Sequence, residues 1–188
     1  TTLTGTLANL AAAIGAFADT DFDFIDMGSV GLTTGGEGVT IDASSDYALD
    51  RALSVGDFLS VSSDGDITVD EAITWTGTGE LSFDAGNDIA LNGAIDGQNG
   101  GLTLRAYGTG GSDYVGTIST GSNGTVDVGT FNLPKGYWYQ VGASLPSFEA
   151  LDFRTNHHNA SFVRVQGGDG SVADPYQLFD VYGLQGIT

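Results

Sequence analysis

The sequence contains no cysteine, which removes disulfide frameworks, thiolate zinc sites and cysteine nucleophiles together. Basic residues are scarce: 5 lysines and arginines stand against 24 aspartates and glutamates in 188 residues, a formal charge of −19. A chain this acidic repels polyanions, so a DNA- or RNA-reading module is excluded. Only 3 prolines accompany 30 glycines, and without a Gly-x-y period the glycine content is not collagenous. No apolar run approaches the roughly 18 residues of a spanning helix, so no transmembrane segment is expected. The residues after Thr1 lack a basic, apolar leader, which predicts a processed product or a piece of a longer protein.

What is present argues for a packed core. Hydrophobic residues make up 40% of the chain and charged residues 15%, too apolar a balance for a solvated acidic tail. A repeat organises the middle. Residues 58–73 align with 80–95 at an offset of about 22 residues, and the phase continues at 101–106 and reaches back to 38–43. Each copy is a short alternating strand, a Gly/Asp/Asn turn, a second strand and a brief third one, the rhythm of a solenoid coil. Alternation places Leu59, Val61, Ile67, Val69, Leu81, Phe83, Ile89, Leu91, Leu102 and Leu104 on one face, with polar residues on the other. One coil cannot bury that face. Coils stacked at about 4.8 Å close a continuous dry interior, and Gly65, Gly86 and Gly93 suit its corners.

The expected fold is therefore all-β, a right-handed parallel β-helix over residues 38–130, with a sandwich or jelly roll as the rival. Residues 1–37 are read as a cap. Leu3, Leu7, Leu10, Ile14 and Phe17 recur at helical spacing, Ala11 to Ala13 favour helix, and Asp21-Phe22-Asp23-Phe24 alternates like an edge strand. Residues 131–188 hold all three prolines and most of the aromatics. They are read as less regular coils continuous with the solenoid.

Three stretches resemble the large secreted exoproteins of bacteria similar to filamentous haemagglutinins. The coil at 81–95 is similar to the haemagglutinin-type repeat. Residues 129–154 resemble a module that recurs in such exoproteins, and the most specific part is its end: Phe162-Val163-Arg164, Gly167-Gly168-Asp169-Gly170-Ser171, Pro175-Tyr176-Gln177-Leu178 and the run from Asp180 to Ile187. The resemblance implies a β-helix shaft, secreted to the bacterial surface or beyond it, serving adhesion, aggregation or a biofilm matrix. It implies no enzyme.

Candidate sites are few. Asp19-Thr20-Asp21-Phe22-Asp23 opens like a calcium loop, but Phe24 and Val30 occupy the positions of the turn glycine and the bidentate Glu, so an EF-hand is rejected. Gly167-Gly168-Asp169-Gly170-Ser171-Val172 begins like a calcium-binding nonapeptide but occurs once, and is read as a turn. Asp66 stacks on Asp88 and Ser62 on Asp84 in the repeat. Like charges at strand spacing cost only about 1 kcal/mol in water, so the stack needs no cofactor, while calcium is the ion that would bridge it. Paired acids also suit glycoside cleavage, yet Arg51, Arg105, Lys135, Arg154 and Arg164 are too scattered to build a basic cleft for an acidic sugar. His157 and His158 point to opposite faces of an extended strand and cannot share one ion. Tyr137-Trp138-Tyr139 is the candidate for contact with surface glycans, although alternation turns Trp138 inward. The remaining expected partner is a second copy, through self-association of solenoid ends lacking large charged caps, head to tail into a filament.

Overall fold

The computed structural model describes residues 39–43, 45–49, 53–55, 58–109, 114–156 and 158–186. The helix and edge strand expected within 1–37, the acidic stretch 19–23 included, lie outside the described residues. The chain is wound as a β-solenoid of about five turns, its strands joined in one 15-stranded sheet system. Almost every pairing is parallel.

Each regular coil contributes three strands to three walls. The first described coil carries β1 (Val39–Ala43), β2 (Tyr47–Leu49) and β3 (Leu53–Val55). The second carries β4 (Phe58–Ser63), β5 (Ile67–Val69) and β6 (Ile73–Trp75). The third carries β7 (Glu80–Ala85), β8 (Ile89–Leu91) and β9 (Ile95–Asp96). Then come β10 (Gly101–Ala106) and β11 (Thr117–Thr120). Alternation along these strands turns one residue in two inward, and stacking puts like on like: Leu59 on Leu81, Ile67 on Ile89 and Ile73 on Ile95. All ten residues assigned to the inner face by their spacing are buried. Each such Leu, Ile or Phe adds about 1.5–3 kcal/mol of burial.

The corner glycines are dictated by the approach of neighbouring coils. A Cβ on Gly65, Gly86 or Gly93 would collide with Asp46, with the carbonyl of Asp64 or with the carbonyl of Glu71, each one coil back. None of the three has a positive φ. The coil length is not constant. At one turn, hydrogen bonds link residues 20, 22 and then 29 positions apart, because the connection from β10 to β11 is longer.

β12 (Val126–Val141) is a single strand of 16 residues serving all three walls. Its start lies beside β9, its middle beside β10 and its end beside β11. It turns one corner at Gly136, where φ is 133°, a value that favours glycine. β13 (Phe148–Thr155) and β14 (Ala160–Gly167) stack on it in parallel. The core here is aromatic: Phe131, Trp138, Phe148, Phe153 and Phe162 contact one another at centroid distances of 4.9–6.0 Å, many of them edge to face, the geometry that ring quadrupoles favour.

The last residues do not add another coil. The chain reverses through a turn in which Gly168 and Gly170 have φ of 87° and 82°. β15 (Gln177–Leu178) then pairs antiparallel with β14, and a short helix, α1 (Val181–Gly186), follows. Arg164 points into the end of the core and is 2% exposed. Its guanidinium meets Asp180 at 2.8 Å, the Pro146 carbonyl at 2.9 Å and the Gln140 side chain, and lies over the rings of Phe148 and Phe179. The C-terminal end is thus capped around a buried charge, unlike the bare end expected from the sequence.

Candidate functional site

The outward positions form columns that run from coil to coil. Asp46 accepts the backbone N–H of Asp66 at 3.0 Å, Asp66 that of Asp88 at 3.1 Å, and Asp88 that of Thr117 at 2.6 Å. Asp66 and Asp88, the calcium candidates, therefore each use a carboxylate oxygen on the amide of the following coil. The chemistry is that of a turn cap repeated along the axis. On the next corner Asn92 donates to Asp70 at 2.8 Å, and on the first wall Arg105 pairs with Asp84 at 2.9 Å.

A different column was not legible from the repeat. On the third wall Asp96, Asp127 and Glu149 stand in register on three successive coils. One carboxylate oxygen of Asp96 is buried and has no hydrogen-bond partner. The 31-residue step from Ile95 to Val126 breaks the period of about 22, so spacing alone could not align these acids. Among the described residues no group of three or more His, Asp or Glu is disposed to hold a metal ion.

Tyr137 and Tyr139 lie on the outer face of β12, 40% and 53% exposed, with ring centroids 6.3 Å apart and planes inclined by 56°. Trp138 between them is 1% exposed, packs on Phe162 at 5.1 Å and donates its indole N–H to Thr120 at 2.7 Å. It has no face to offer a ligand. The inward turn expected for Trp138 follows from strand alternation. The two tyrosines and Val141 make an exposed apolar strip along one strand.

The remaining candidates are dispersed. His158 is exposed and its amide donates to Asn156 at 3.3 Å; His157 lies outside the described residues. The 167–174 segment is a turn held by its own polar groups: the Asp169 carboxylate accepts the Ser171 amide at 2.8 Å, and the Ser171 hydroxyl accepts that of Asp174 at 3.0 Å. Hydrogen bonds from Ser171, first from its hydroxyl and then from its amide, hold the Asp169 carboxyl below the usual aspartate range. Arg154 is held above its usual value by the hydrogen bond and charge of Asp152.

The run from Asp180 onward is accounted for by its contacts. Asp180 caps α1 through the Gly183 amide at 2.9 Å and pairs with Arg164 through its other oxygen. The Tyr182 hydroxyl donates to the Ala150 carbonyl at 3.0 Å and accepts the Ala150 amide at 2.9 Å. Side chains on Gly183 or Gly186 would strike the carbonyls of Arg164 and Phe162.

No helix among the described residues is long and apolar enough to cross a membrane. Comparisons with family models, with curated proteins and with solved structures return no match, so the likeness to filamentous haemagglutinin-type exoproteins rests on the residues that carry it.

Proposed function

We propose that this chain is a rigid, acidic segment of a bacterial extracellular surface protein, without catalytic activity, whose side walls make its contacts. The observation that carries this reading is the outer face of the solenoid. Asp46, Asp66 and Asp88 tie coil to coil along the axis, which stiffens a shaft, while Tyr137 and Tyr139 present two rings on a wall. Aromatic faces flanked by Thr117 and Ser161 on neighbouring strands suit the apolar face and hydroxyl rim of a sugar ring. Surface glycans are the proposed partner, and adhesion within an aggregate or biofilm matrix is the proposed role.

A glycan array probed with the wild-type chain tests this. Binding that falls about tenfold with Tyr137→Ala or Tyr139→Ala, equivalent to about 1.4 kcal/mol, is the expected result. Absence of any bound glycan would sink it. The same tyrosines suit a polysaccharide chain, and assaying reducing-end release separates holding a polysaccharide from cutting it. Head-to-tail assembly of solenoid ends into a filament also belongs to this reading, and electron microscopy across concentration tests it. At the C-terminal end such stacking requires the β15–α1 segment to move first.

A further inference from the structure

A stack of parallel coils ends in open strand edges around an apolar cross-section, and such an edge pairs with other β-structure unless something prevents it. In this chain the end is formed by β13 and β14, with Phe148, Phe153 and Phe162 at its centre. Two separate features close it.

The first is cover. β15 pairs with β14 at Val165 and Gly167, and the Phe179 amide donates to the Arg164 carbonyl at 3.0 Å. The glycines of α1 then press against the carbonyls of Arg164 and Phe162, while Tyr182 occupies both backbone groups of Ala150 on β13. The segment 177–186 thus crosses from one strand edge to the other. The second feature is charge. Arg164 points inward at the last coil, and among the described residues the only carboxylate pairing with it is Asp180, which the cover itself supplies. Any other β-structure meeting this end would bury the guanidinium without its partner, a strongly unfavourable arrangement.

We propose that the 177–186 segment and Arg164 form a two-part stop that keeps the β13–β14 end from joining a second copy of this chain. The partner held off is a second copy because another solenoid end matches the outline: strands on three walls around an apolar centre. Two like ends facing each other bring their strands together antiparallel, the sense β15 already adopts on β14. That contact closes on itself as a pair instead of extending. The proposal concerns the end of the shaft, and it stands or falls apart from glycan binding by the walls.

The test compares three versions of the 188-residue chain by light scattering at rising concentration: wild type, Asp180→Ala with Tyr182→Ala, and the same pair of changes with Arg164→Leu. In the double variant, amides of β14 exchange faster with deuterium while the mass stays that of wild type, because the inward charge still guards the end. In the triple variant the mass doubles relative to wild type. Since the chain has no cysteine, Gln166→Cys in the triple variant gives a thiol-specific cross-linker one site per chain. The expected product is a covalent pair through Gln166→Cys and little through Thr74→Cys, an exposed position on β6 far from this end, whereas misfolded material cross-links equally at either site. A triple variant at wild-type mass overturns the proposal. Equal association in the double variant removes Arg164 from it, and growth in mass beyond a pair or equal cross-linking through Thr74→Cys overturns the face-to-face geometry.

Discussion

The coils over 58–106 and those over 126–165 fill the same kind of interior by different means. In the first region aliphatic residues stack in register, like upon like, and the outer face is laced by polar side chains that reach one coil onward. In the second, rings from three strands meet at varied angles, and among the paired residues only Phe131 on Phe153 and Val141 on Val165 lie on a copy of themselves. Equal coils allow identity columns, because a side chain and its copy then see the same surroundings. In the C-terminal coils the register continues at offsets of 22 and 24 residues, but the paired residues differ in size, and large rings fill the less regular space by edge-to-face packing.

The sharpest way to break this contrast is to remove one ring. Phe162→Ala is expected to cost about 4 kcal/mol and Leu81→Ala about 3 kcal/mol in urea denaturation. The difference in coupling is more telling than the difference in size. Phe162→Ala combined with Phe131→Ala should be non-additive, since the rings are in contact, while Leu59→Ala combined with Leu102→Ala, two coils apart, should add. Additive aromatic losses would show that the C-terminal coils are columns after all.

Corner glycines give a smaller effect of the same kind. Gly86→Ala forces a Cβ into the Asp64 carbonyl and is expected to cost about 2 kcal/mol. At Gly142, where the nearest atom is a flexible Leu145 methyl at ordinary contact distance, alanine should change stability by less than about 0.5 kcal/mol. Equal thermal midpoints for the two variants would contradict the tight coil-on-coil approach.

The two acidic columns should then respond with opposite signs. Asp66→Ala leaves the Asp88 amide without its acceptor and should cost about 1 kcal/mol. Asp127→Asn removes the middle charge of the Asp96–Asp127–Glu149 column and should stabilise by up to about 1 kcal/mol, less at high salt. The smallest expected effect is at Asp169. Because hydrogen bonds from Ser171 depress its folded value, the turn keeps these bonds from neutral pH down through the ordinary aspartate range of about 3.9. It loses them only as pH falls through the lowered value. A carboxyl titration followed by NMR with its midpoint at or above the ordinary value would refute the bonding.

Much of the fold was legible because the regular coils repeat. Leu59, Leu81 and Leu102 announce one wall by spacing alone, and the offset between 58–73 and 80–95 is the register the strands adopt. The acids at Asp66 and Asp88 were equally visible as a stack. What each carboxylate bonds was not visible, because the partner is a backbone amide that carries no signature of its own. The cap was hidden for a related reason. Asp180, Tyr182, Gly183 and Gly186 stood out as a specific run, but their partners on Arg164, Ala150 and Phe162 lie 16 to 32 positions away, with no period to connect them. Nor does alternation reveal that an inward position is charged by design, since Arg164 falls in phase with Phe162.

β12 bears on how such a chain keeps its place. Sliding one strand of a two-faced sheet by a single residue exchanges its buried and solvated sides, and the short strands of the early coils, several only three residues long, each offer little resistance to that error. β12 belongs to three walls at once, so a slip would have to misplace Val128, Phe131 and Trp138 together. It comes directly after the coil whose length departs from the rest. The long strand holds the winding on all three walls at once, and the coil that follows it stands at offsets of 22 and 24 residues, near the period of the early coils.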